Sequence, residues 1–141
     1  MHYHGYFWRG SDEERSRKAR DTHIDGPQFT TADVPPVKMC WWLRKPADKV
    51  AGTWGEPEGA AEWMAAQYEK VRTEIDGPDA FWAPAGGRYA AALRDLADGR
   101  DVTWQYQLGG DERAFVSVVA CSPNGWDREA PCPVEGRGQA C

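Results

Sequence analysis

Apolar and polar positions alternate most cleanly over residues 101–108, DVTWQYQL, where Val102, Trp104, Tyr106 and Leu108 fall on one side and Thr103, Gln105 and Gln107 on the other. A period of two predicts a strand with one buried face. Gly109-Gly110-Asp111-Glu112 predicts a hairpin turn, and RAFVSVVAC at 113–121 is apolar on both sides, as a strand in the middle of a sheet should be. The opening stretch alternates too. In His2 to Arg9, one face would carry His2, His4, Tyr6 and Trp8 and the other Tyr3, Gly5, Phe7 and Arg9. A second strand is expected in VKMCWWLR, residues 37–44, entered through Pro35-Pro36 and ended by Lys45-Pro46.

Between these strand segments the period changes. From Pro57 to Asp76, Met64, Tyr68, Val71 and Ile75 recur at helical spacing, with Pro57 suited to the first turn and Glu58 and Glu62 near the positive end of the dipole. Gly77-Pro78 should stop this helix. A second helix is expected from about Gly87 to Asp98, with Tyr89, Leu93, Leu96 and Ala97 inward and Gly99 as its C-terminal cap. The order is therefore β-β-α-α-β-β. It predicts an α+β fold: an antiparallel sheet of about four strands with two helices packed on one face. One domain over residues 1–126 is expected, with 10–30 as a flexible charged connection and 127–141 as an irregular, mobile tail.

Composition narrows the function classes. A net charge of -5 and a sequence pI near 5.2 disfavour a sequence-independent nucleic-acid binder, whose affinity rests on many Lys and Arg contacts to phosphate. The basic run RSRKAR at 15–20 is flanked by Asp12, Glu13, Glu14 and Asp21, which cancel most of its field. No apolar run approaches the roughly 20 residues that span a bilayer, so a cytoplasmic protein with reduced cysteines is expected. Abundant Ala, Arg, Gly, Asp and Pro point to a GC-rich bacterial or phage coding sequence. Eight tryptophans spread along the chain exceed what one core of this size usually needs. The surplus predicts an aromatic binding face, with Tyr6, Trp8, Trp42, Trp104 and Tyr106 as its candidate residues.

Candidate chemistry sits at few positions. His2 and His4 would point the same way on a strand, about 6.5 to 7 Å apart at Cα, from which two imidazoles can converge on one Zn²⁺. A third ligand would have to come from Cys121, Cys132 or His23. The ten residues between Cys121 and Cys132 do not form a tight zinc knuckle, so the expectation is no cofactor, with zinc on His2, His4 and Cys121 as the weaker alternative. Cys121, at the end of the most apolar strand, is also a weak candidate nucleophile, and His2 and His4 are weak catalytic candidates, but of the three imidazoles, His2, His4 and His23, nothing local places one near it; packing is the favoured role for it and for Cys40. Pro84-Ala85-Gly86-Gly87-Arg88 precedes a helix and could meet an anion, though it lacks P-loop spacing.

The sequence supports three readings in order. First is a small soluble binding or regulatory protein that engages a protein partner or a second copy of itself, with a small-molecule ligand as a lesser option. Second is a small tailoring or hydrolytic enzyme with a His/Cys site. Third is a metal-stabilised accessory domain.

Overall fold

Two long strands carry the architecture: β1 (His2–Ser11) and β4 (Glu112–Cys121) pair antiparallel along their full length, His2 opposite Cys121 and Ser11 opposite Glu112. They are seen in a computed structural model that describes residues 1–76 and 87–134. β2 (Gly52–Trp54) joins the outer side of β1, and β3 (Val102–Gln107) joins β4, giving a four-stranded antiparallel sheet in the order β2-β1-β4-β3. β4 therefore lies inside the sheet, as its two apolar faces require. A short helix, α1 (Asp12–Arg17), follows β1, and α2 (Pro57–Val71) and α3 (Gly87–Ala97) come between β2 and β3. The α+β class and the β-β-α-α-β-β order of the main elements agree with the sequence pattern.

One sheet face is covered by α2 and α3. Ala60, Ala61, Met64, Tyr68 and Val71 of α2 and Ala92 and Leu96 of α3 pack on Tyr3, Trp104, Tyr106, Ala114, Val116, Val118 and Ala120. Ala97 is exposed, and Ala92 takes the inward place expected of it. Gly99, at φ +78°, ends α3 with its N–H on Leu96 O, a left-handed conformation that glycine adopts without a Cβ clash. Gly5 is required for space: a Cβ there would lie 2.9 Å from both Trp54 and Trp63. The stop signal Gly77-Pro78 and residues 84–86 of the helix-start loop lie outside the described residues.

The other face is also covered, and here the expectations need correction. Residues 37–44 are not a strand. Met39–Arg44 forms a 3-10 helix, and the second strand is Gly52–Trp54. Reading MCWWLR with a period of two put Trp41 and Leu43 together. The true period is near three, so Cys40, Trp42 and Leu43 are buried while Trp41 and Arg44 are half-exposed. Trp42 lies flat on Tyr6 of β1, with ring centroids 4.7 Å apart. The segment after β4 belongs to the same layer: Ala130, Cys132 and Val134 pack with Tyr6, Trp42, Leu43, Val119 and Cys121. Residues 127–134 are thus packed instead of forming a mobile tail, and Asp127 holds Arg44 through two bonds of 2.6 and 2.8 Å. Residues 10–30 contain α1 and a 3-10 turn at Ala19–Thr22, and Phe29 is buried.

Lys45 pins this covering layer. It is 2% exposed, and its Nζ donates to Phe29 O and Ala32 O while lying 4.2 Å from the centre of the Phe29 ring. Burial, followed by repulsion from Lys49, pulls its pKa down to about 8. Lys45→Met keeps the volume but leaves two carbonyls without their donor, and should cost about 1 to 3 kcal/mol in urea unfolding at pH 7. The pH dependence has a definite sign. Between pH 8 and the ordinary lysine range the unfolded chain binds more protons than the folded chain, so stability contributed by this site rises with pH. The gap between the wild-type protein and Lys45→Met should therefore widen across that window.

Candidate metal centre

At one end of the covered face, four side chains converge. Pairing of β1 with β4 sets Cys121 opposite His2 and Val119 opposite His4. His2, His4 and Cys121 thereby share the face that the segment after β4 covers. Cys132, on that segment, completes the group. All four residues are buried, at 5%, 0%, 0% and 8% exposure for His2, His4, Cys121 and Cys132.

Three of the four ligand atoms are spaced close to the edges of a coordination tetrahedron. Zn–N bonds of about 2.05 Å and Zn–S bonds of about 2.3 Å place tetrahedral ligand atoms about 3.3 Å apart for N and N, about 3.5 Å for N and S, and about 3.8 Å for S and S. Here the His2 and His4 Nε2 atoms are 3.0 Å apart, and Cys132 Sγ is 3.4 Å from the first and 3.6 Å from the second. One ligand atom from each of the four residues lies within 4.8 Å of every other. His4 is further oriented from outside the cluster, because its Nδ1 lies 2.9 Å from Thr53 Oγ1 on β2. Such an outer partner orients the ring and leaves Nε2 turned toward the other ligand atoms.

The electrostatics agree with ligation by neutral imidazoles. Burial lowers the His2 pKa, helped by the nearby N-terminal charge, and burial with repulsion from His2 lowers that of His4 to about 4. Both rings are then uncharged near neutral pH, the form that offers a lone pair. Cys121 carries a thiol, whereas Cys132 is disulfide-bonded. A disulfide sulfur is no thiolate ligand. The positions of the four atoms suit a metal, but the donor set becomes His₂Cys₂ only when Cys132 is reduced.

The remaining candidates fall elsewhere. His23 is half-exposed and packs edge-on against Trp41, away from the group. Cys121, as a nucleophile, would need an approach for substrate, and it is fully buried. Tyr6, Trp8, Trp42, Trp104 and Tyr106 are 0% to 5% exposed; the open aromatic face expected of them is interior packing on the two sides of the sheet. Arg88 of the expected anion loop lies over the rings of Trp104 and Tyr106, at 5.2 and 5.7 Å. Among the described residues no helix is long and apolar enough to cross a membrane. From the sequence Cys132 is only one optional third ligand, because nothing in its spacing from Cys121 shows that the intervening turn folds back over the sheet. No protein family, curated protein or solved structure matches this chain, so the functional reading rests on the geometry of this centre.

Proposed function

We propose that this protein is a metal-stabilised domain whose reduced form holds one Zn²⁺ on His2, His4, Cys121 and Cys132. The observation that carries the reading is the convergence of four buried ligand atoms within 4.8 Å of one another, with the two Nε2 atoms and Cys132 Sγ spaced close to the edges of a His₂Cys₂ tetrahedron. Imidazole and thiolate together favour zinc over the oxygen-seeking ions. Four protein ligands in a buried site leave no position for water or substrate, so the role is structural and not that of a Lewis acid in catalysis. Its mechanical effect is to clip the segment after β4 onto the first strand, bringing the two ends of the described chain together. Because the thiolate of Cys132 is required, the reading places the working protein in a reducing compartment such as the cytoplasm.

Cobalt provides the direct test. Titrating the fully reduced chain with Co²⁺ should give one equivalent bound, with a thiolate-to-metal charge-transfer band and the visible absorption of tetrahedral Co²⁺. Cys121→Ser should lower the charge-transfer intensity by about half, since one of two thiolates is lost. Absence of stoichiometric binding by the reduced chain, or octahedral absorption without the charge-transfer band, would overturn the assignment.

A further inference from the structure

A cleft of about 590 Å³ opens between the 3-10 helix at Met39–Arg44 and the turn at 124–127, away from the His/Cys group. Its volume suits a small organic ligand. Three of its features are unusual together. Trp126 is 81% exposed at its edge, yet the backbone beneath it is firmly held. Asn124, 1% exposed, accepts the N–H groups of Trp126 and Asp127 and donates to Ala120 O and Asp101 Oδ1, all at 2.8 to 3.1 Å. The turn thus presents an indole to solvent from a fixed base.

The charged groups supply the second and third features. Asp101 takes both of its hydrogen bonds, from Ala120 N and Asn124 Nδ2, on Oδ1. Among the described residues Oδ2 has no partner. Lys38 lines the same cleft with its Nζ 5.2 Å from the centre of the Trp41 ring, and that Nζ makes no ion pair or hydrogen bond with another described residue. The other carboxylate of the cleft, Asp127, is already committed to Arg44. One uncommitted ammonium and one uncommitted carboxylate oxygen therefore line a single cavity without pairing with each other.

We propose that this cleft binds a zwitterion of aromatic amino acid size, with its carboxylate on Lys38, its ammonium on Asp101 Oδ2 and its ring on Trp126. A simple organic cation would satisfy Asp101 but leave Lys38 facing it, and a simple anion would do the reverse. Charge-assisted bonds to both groups, with stacking on an indole, use everything the cleft offers. Burial raises the Asp101 carboxyl above its ordinary range, which is what a carboxylate lacking a cationic partner experiences.

L-Phenylalanine is the probe, titrated into the intact chain while the indole N–H resonance of Trp126, assigned with Trp126→Phe, is followed by NMR. A saturable shift is expected, with phenethylamine and 3-phenylpropionate each binding at least about tenfold more weakly because each lacks one charge-assisted bond. Lys38 is exposed, so Lys38→Met should fold normally and bind phenylalanine no better than phenethylamine. The proposal is overturned if no saturable shift appears up to about 10 mM, if the three probes bind alike, or if Lys38→Met leaves phenylalanine affinity unchanged.

Discussion

Zinc added in excess to the reduced protein should raise its thermal unfolding midpoint by about 10 °C. Ligand at a thousandfold its dissociation constant stabilises the folded state by about 4 kcal/mol, and each kcal/mol moves the midpoint of a chain of this size by roughly 2 to 4 °C. The oxidised protein should show no such shift, because Cys132 is then held in its disulfide. His4→Ala removes one of the four proposed ligands, a fully buried one. It should abolish the zinc-dependent increment whatever it does to the baseline, which makes the increment the quantity to compare. Differential scanning calorimetry of both redox states, with and without zinc, supplies the measurement. Equal increments in the reduced and oxidised proteins would remove Cys132 from the ligand set.

Replacement of Trp42 by Ala should cost about 3 to 5 kcal/mol, the range for emptying a buried aromatic site. Trp42 is 2% exposed and stacked on Tyr6, so its loss opens the layer over the second sheet face. Had this residue belonged to an open binding face, truncation would have left stability nearly unchanged. Trp42→Phe gives the internal control. Among the described residues the buried Trp42 indole nitrogen has no hydrogen-bond partner, so a phenyl ring removes an unsatisfied donor while keeping the stack. It should recover more than half of the loss in guanidinium unfolding. A cost below about 1 kcal/mol for Trp42→Ala would mean that the covering layer contributes little to the fold.

Legibility differed from one residue to the next for physical reasons. The strand 102–107, the two-faced strand 112–121 and the helix from Pro57 could be read from the chain because their hydrophobic periods come from local geometry. Residues 39–44 misled because a run with both Cys40-Trp41 and Trp42-Leu43 supports either a period of two or a period of three. Only the surface it packs on chooses between them. The surplus of tryptophan suggested an exposed aromatic face, but the sheet has a second face to cover, and Trp42 and Trp8 are spent there.

The candidate metal centre divides in the same way. Sequence by itself determined that His2 and His4 face one side of a strand, since side-chain direction alternates along any extended backbone. It also determined the α+β class through the strands and helices other than Gly52–Trp54, because the period of each is set within about a dozen residues. Only the tertiary structure decided that Cys121 stands across from His2 and that the chain after β4 turns back to bring Cys132 to both imidazoles. Those are contacts between positions more than a hundred residues apart. They depend on strand register and on which face a loop covers, and neither quantity is encoded in any local stretch of residues.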